Sequence, residues 1–247
     1  MSDFTPPFTN KLLAALPAEI RQRLVSHLTF VALPQRMQLE HSSRPIGHVY
    51  FIESGIVSIT ASDSDNPVEI GIIGYEGMSG ISVLHGGARS PYASYMQAEG
   101  SGYRLPADIL RHFLESEVIC RSIFLGFAHA FMIQIAETAI ANAGGTILQR
   151  LARWLLMAAD RLDGKEIPLT HEFLAMMLGT RRPGVTEACH ELARRGLIEN
   201  RRAKIAIVNR AGLTDLAARF YGVPENELRM ILKSSAQART FARQPTT

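Results

Sequence analysis

The sequence predicts an α+β fold: an antiparallel β-roll of jelly-roll type, then a long helix, then a smaller helical unit that ends in a β-hairpin. Three observations predict it. Residues 30–105 hold short alternating apolar runs, such as HVYFIESGIVSITAS and VEIGIIG, cut by Gly, Pro, Asn and Asp clusters; that is the pattern of a many-stranded antiparallel sheet. Helical spacing of apolar residues returns at Ala107 and continues beyond it. Charge divides with it: residues 1–144 carry 9 Lys+Arg against 13 Asp+Glu, net −4, and residues 145–247 carry 17 against 10, net +7. A basic half beside an acidic one points to nucleic acid, with a merely solvated basic surface as the bland alternative.

The elements come in order along the chain. Leu12, Leu13, Leu16, Ile20, Leu24 and Leu28 recur at three- and four-residue intervals, the stripe of an amphipathic helix or helix pair that packs as a lid on the strand-rich region. After that region, ADILRHFLESEV forms a helix, and the apolar run ICRSIFLGFAHAFMIQIAETAIANA a longer one ending at Gly144-Gly145. Its polar side is too thin for a lone surface helix, so it is either wrapped by its own domain or packed against a copy of itself. The glycine pair is a hinge before a new helix, TILQRLARWLLMAADRLDG. A short polar tail, ARQPTT, ends the chain.

Composition excludes several classes. Apolar residues make up 47% and charged residues 20% of the 247, a soluble globular balance. No stretch reaches the roughly 18 uninterrupted apolar residues of a spanning helix, and Pro6-Pro7 ahead of a short amphipathic run do not make a signal peptide. No membrane association and a cytoplasmic location are expected. The two cysteines, Cys120 and Cys189, lack metal or disulfide spacing and fall short of the about four thiolates of an iron-sulfur cluster. His41, His48 and His85 have no diagnostic metal spacing, and no GxSxG, HExxH or P-loop occurs. The chain is not expected to be an enzyme, and no cofactor is assigned with certainty.

The strongest constellation is KEIPLTHEFLAMMLGTRRPGVTEACHELARRGLIENRRAKIAIVNR. Thr170 caps a first helix with Phe173, Leu174, Met177 and Leu178 inward, and Gly179 makes the turn. A second helix starts near Arg182 or Pro183, where proline is tolerated. Val185, Ala188, Cys189 and Leu192 form its inner face, which leaves Arg181, Arg182, Gly184, Thr186, Glu187 and His190 outward or at the helix start. After Gly196, two short strands flank the tip Asn200-Arg201-Arg202-Ala203-Lys204. Helix, turn, basic second helix and basic hairpin in this order make a winged helix-turn-helix for double-stranded DNA. The expected base-proximal residues are Arg181, Arg182, Gly184, Val185 and Glu187, with Thr170, Arg201, Arg202 and Lys204 on phosphates and Thr180 as a further DNA-binding position.

On these motifs the chain resembles the Crp/Fnr family of bacterial regulators over nearly its whole length. HVYFIESGIVSI is similar to the early strands of a cyclic-nucleotide-binding-type roll, the run from about 117 to 143 to the family's long dimer helix, and the C-terminal segment to its winged helix. The resemblance implies a homodimer, a pseudopalindromic operator with half-sites about one helical turn apart, an effector pocket in the roll, and RNA polymerase as a further partner. It places an effector site at Ser79, Gly80, Arg89, Ser90 and Ile135. Arg89-Ser90 match the pair that holds a cyclic phosphate, so an anionic effector of cyclic-nucleotide type enters consideration. Ser79 stands where nucleotide-binding members carry the ribose-binding glutamate, and Ile135 and Ala136 where they carry an adenine-contacting polar pair. The expectation is therefore against cyclic AMP; another anion near Arg89, an apolar or larger effector, and an empty collapsed pocket stay open.

The domain expectation is residues 1–116 for sensing, 117–144 for the dimer helix and hinge, and 145–247 for the winged helix with its tail. Besides a regulator, two alternatives remain: a small-molecule-binding module acting through protein contacts, and a regulator without a ligand. The identity of any effector, the operator and target genes, and the choice between activation and repression are not written in these residues.

Overall fold

The computed structural model describes residues 8–61, 68–162 and 166–242, apart from the side chains of residues 171 and 234–242; the tail at 243–247 lies outside them. The leucine stripe folds as two short helices, α1 (Lys11–Ala15) and α2 (Ala18–Val25), separated by Pro17. Asn10 fastens the first to the roll. Its Oδ1 accepts from the Leu12 and Leu13 amides, and its Nδ2 donates to the Ile52 and Gly77 carbonyls at 2.9 and 2.7 Å.

The roll consists of β1 (Thr29–Leu33), β2 (Gln38–Glu40), β3 (His48–Ala61), β4 (Val68–Ile73) and β5 (Ala93–Pro106), paired antiparallel in the order β1-β5-β3-β4, with β2 also on β5. Where the runs suggested short strands, β3 and β5 are each 14 residues long. Bulges between Ile52 and Val57 let them bend. Gly55 sits there at φ +88°, and a Cβ would lie 2.7 Å from the Ala98 carbonyl oxygen, so only glycine fits.

A single turn, α3 (Ile81–Leu84), precedes β5, and α4 (Ala107–Ser116) follows it. The long helix α5 (Val118–Gly144) comes next. The first expected fate of its apolar surface, wrapping by its own domain, is present. Cys120, Ile123, Phe124, Phe127, Ala130 and Phe131 are buried in the roll's core. On the opposite side Val118, Ser122, Leu125, His129, Met132, Ala136, Ala139 and Ala143 are all exposed. Their spacing alternates four and three, the seam of a coiled coil. By length and hydropathy α5 is the one described helix that could cross a membrane, yet its inner face is already committed to protein.

The C-terminal half contains α6 (Ile147–Ala159), opened by a capping box of Thr146 and Gln149, then β6 (Ile167–Pro168), α7 (His171–Met177), α8 (Arg182–Arg194), β7 (Ile198–Arg201), β8 (Lys204–Ile207), α9 (Arg210–Ala217) and α10 (Val223–Ala242). The residue pattern predicts elements only as far as the hairpin; α9, α10 and the third strand β6 are additions. Helix α10 returns to α5, where Gly126 admits it: a Cβ there would sit 2.4 Å from Ile231 Cγ2.

The core of this half also takes in Ile56, Ile72 and Ala98 of the roll. Buried polar contacts tie the halves together, two of them made by carboxylates of the roll. Glu69 on β4 accepts from Trp154 Nε1 at 2.7 Å and from Ser58 Oγ at 2.6 Å. Glu76 is ion-paired with buried Arg161, whose Nε donates at 2.7 Å. Cys120 and Cys189 are buried, and burial pushes their thiols up to about 12 and about 11, leaving them unreactive packing groups.

Burial pushes the Glu69 carboxyl up to about 7, against the opposing pull of its two donors. A carboxyl with a raised folded pKa favours folding fully below its ordinary value of 4.5 and ceases to do so as pH rises through about 7. Stability in urea should therefore fall between pH 5 and pH 8, by up to about 3 kcal/mol from this group. Glu69→Gln should remove that share of the slope; an unchanged slope in the variant would assign the dependence elsewhere.

Candidate nucleic-acid interface

The head is assembled as its residue pattern requires. Thr170 Oγ1 accepts from the Phe173 amide at 3.2 Å and caps α7. Leu174, Met177 and Leu178 are buried and Phe173 half-buried. Gly179 adopts φ +55° in the turn, whose Leu178 carbonyl receives Arg150 Nη1 from α6 at 3.2 Å. Thr180 is half-buried, and its amide donates to the Ala175 carbonyl at 3.0 Å. Helix α8 then starts at Arg182 with Pro183 in its first turn.

Val185, Ala188, Cys189 and Leu192 are buried, so the inner face of α8 is as expected. That corrects one assignment. Val185 is 0% exposed and its side chain cannot touch a base, because the helical spacing that makes it a core residue turns it from the surface. Gly184 is half-buried, and a Cβ there would meet Ile147 Cδ1 at 3.3 Å. Its smallness lets α8 lie close to α6. Arg181, Arg182 and Glu187 are exposed, and among the described residues neither arginine has a carboxylate partner. Farther along, Arg194 and Arg195 are both tied to Glu191 at 2.7 Å. Their hydrogen bonds, Arg194's first, hold its carboxyl down at about 2.

The wing is a three-stranded sheet in the order β6-β8-β7, with Arg202 and Ala203 as its tip and Ala203 at φ +56°. Arg201 and Lys204 face each other across it. Sequence reasoning missed what binds them. Glu166, just ahead of β6, accepts from Lys204 Nζ at 2.8 Å and from Arg201, and Glu199 accepts from Arg201 at 2.9 Å. Lys204 and then Arg201 hold the Glu166 carboxyl below its usual range. No local signal announces the pairing, since Glu166 reaches them only through the β6–β8 ladder. Among the described residues Arg202 has no acidic partner.

The five effector positions are not brought together. Ser79 is wholly buried; its Oγ accepts from the Tyr50 amide at 3.1 Å, a structural bond between loop and strand. Gly80 stands at φ +79° at the start of α3. Arg89 is exposed and bridges Pro45 through its backbone. Ser90 and Ile135 do line a cavity of about 490 Å³ between the roll and α5, whereas Ser79, Gly80 and Arg89 do not. Three of the five expected effector positions thus lie outside the wall of that cavity. Among the described residues no three metal-ligating side chains come together.

Residues 149–216 match the model of the Crp-like helix-turn-helix domain. No curated protein matches the chain in sequence. Among solved structures the chain is similar to FixK2 from Bradyrhizobium japonicum, at 18% identity and TM-score 0.67, covering 77% of this chain and 98% of that one. It is similar to the regulator CLP from Xanthomonas campestris, at 16% identity and TM-score 0.61, covering 77% and 99%. A Crp/Fnr-family regulator from Thermus thermophilus aligns at 22% identity and TM-score 0.59, covering 76% and 98%. The basic head built from α6 to α9 is thus a Crp-like helix-turn-helix domain, carried on a chain with the fold of the Crp/Fnr transcriptional regulators.

Proposed function

We propose that the chain is a homodimeric, sequence-specific transcription regulator acting on double-stranded DNA in the cytoplasm, with residues 1–116 sensing, 117–144 joining two copies and 145–247 reading the operator. The observation that carries this reading is the start of α8. Arg181 and Arg182 stand in solvent, without acidic partners among the described residues, at the end of a helix whose other face is sealed in the head's core. A guanidinium in that place can bridge a guanine edge in the major groove. The wing supplies phosphate contacts, with Arg202 available at once and Arg201 and Lys204 once a phosphate displaces their carboxylates.

The dimer reading rests on the exposed seam of α5. Val118, Leu125, Met132 and Ile140 would otherwise leave an apolar stripe in water. A second α5 covers it and gives the two heads the symmetry of a pseudopalindrome. Control by a small molecule rests on the roll's open cavity. The Xanthomonas campestris relative is described as c-di-GMP responsive; in this chain the apolar lining of the cavity argues for a different kind of ligand.

Three outcomes are expected. Selection from random duplexes yields one operator, and Arg182→Ala costs about 1–3 kcal/mol at one base position while Lys204→Ala weakens all sequences alike; equal losses on selected and random DNA in both variants would sink the reading. Glu166→Gln frees Lys204 and leaves Arg201 with Glu199 alone, so binding to unrelated duplex tightens and its salt dependence steepens by about one counterion. A flat response would take both residues off the phosphates. Met132→Glu puts a charge in the seam and halves the mass seen in sedimentation; a mass that stays dimeric would move the interface off α5.

A further inference from the structure

The cavity between the roll and α5 has a volume of about 490 Å³, inside the range of about 300–1,000 Å³ that small-molecule sites occupy. Ile59, Ile70, Ile81, Leu125, Phe131 and Ile135 supply large apolar side chains to its wall. One carboxylate lies among them. Glu40 on β2 is 7% exposed, and its Oε1 accepts from the Gly80 amide and from Ser94 Oγ, both at 2.8 Å. Burial pushes its carboxyl up.

Gly80 is the residue at the start of α3, and its amide is the group that a helix start would offer to an incoming anion. In this chain Glu40 already holds it. The only arginine expected at the site, Arg89, is exposed and lies outside the wall. A phosphate or carboxylate entering the cavity would thus meet a buried acid with no arginine or lysine in the wall to offset it, the other titratable groups there being His85, His129 and the Tyr92 phenol. An apolar body packs on the isoleucines, and a single O–H or N–H can use the Glu40 carboxylate.

We propose that the cavity binds a neutral, largely apolar molecule with one hydrogen-bond donor, the simplest case being a long-chain alcohol. Its donor sits on Glu40 and its body against Ile59, Ile70, Phe131 and Ile135. This names the ligand class for the sensing half and rests on the reading of the chain as an effector-controlled regulator. Leu125, His129 and Met132 belong both to the cavity wall and to the exposed seam of α5. A second copy on that seam closes the mouth, so ligand and dimer packing act on the same side chains.

The test is displacement of Nile red, a neutral apolar fluorophore, from the full chain by 1-decanol, decanoate and cyclic AMP. Decanol is expected to compete at concentrations at least about tenfold below either anion. Glu40→Gln should improve decanoate by about tenfold or more and leave decanol nearly unchanged. Ile135→Trp and Ile70→Trp, made separately and checked for wild-type circular dichroism, should each weaken dye binding by about tenfold. The proposal is overturned if the dye does not bind, if either anion competes as well as decanol, if Glu40→Gln leaves decanoate unimproved, or if both tryptophan variants bind the dye normally. Operator selection on the same preparations separates the two readings: intact selection with a failed dye result removes the ligand class alone, and lost selection removes the regulator.

Discussion

The pose of the head depends on two buried carboxylates of the roll. Glu69 receives the indole N–H of Trp154, and Glu76 receives the guanidinium of Arg161; both partners come from α6 or the residues just after it. Apolar packing of Ile56, Ile72 and Ala98 against the head is tolerant of sliding, but these bonds are directional. Moving the head by an ångström or two would strand an acid or a cation away from water, at several times the cost of a strained apolar contact. The halves can therefore meet in one arrangement or come apart, with little stable ground between. A discrete contact of this kind is what a switch between two head positions needs.

The same contacts explain what could and could not be seen in the sequence. Periodicity within one element was legible: the inner face of α8, the cap at Thr170, the turn at Gly179 and the buried side of α5 all arise from spacing over a few residues. The resemblance added the order of the parts. Pairings between distant residues were not legible. Glu166 lies 35 and 38 residues from the wing cations it holds, and Glu40 lies 40 residues from the amide it occupies. Neither separation leaves a mark on local pattern. The sharing of Val185 between core and DNA was a contradiction visible in the helical spacing alone, since a residue three and four positions before Ala188 and Cys189 lies on their side.

Three of the effector positions lie outside the cavity wall for a related reason. Spacing places residues along a loop, not toward a pocket. Gly80 keeps its left-handed turn, and Ser79 keeps its bond to the strand, because both shape the loop whatever is bound. Under the ligand class proposed above, the polar contact of the pocket is Glu40, which arrives from a different strand. A loop conformation can persist while the group facing a ligand is changed by a single side chain.

Helix α5 is where these separate features become one mechanism. One side is fixed in the roll's core, Gly126 receives α10, Gln134 bonds the Ile72 backbone and receives Arg153 of α6 on its own carbonyl, and the seam residues are exposed. A helix held on several sides cannot bend to accommodate a ligand without moving its neighbours, since packed interiors have no slack to absorb the shift. Under the proposed ligand control, occupancy of the cavity would press on Leu125, His129 and Met132, and a rotation of α5 that relieved the pressure would be carried through the Gln134–Arg153 bond to α6.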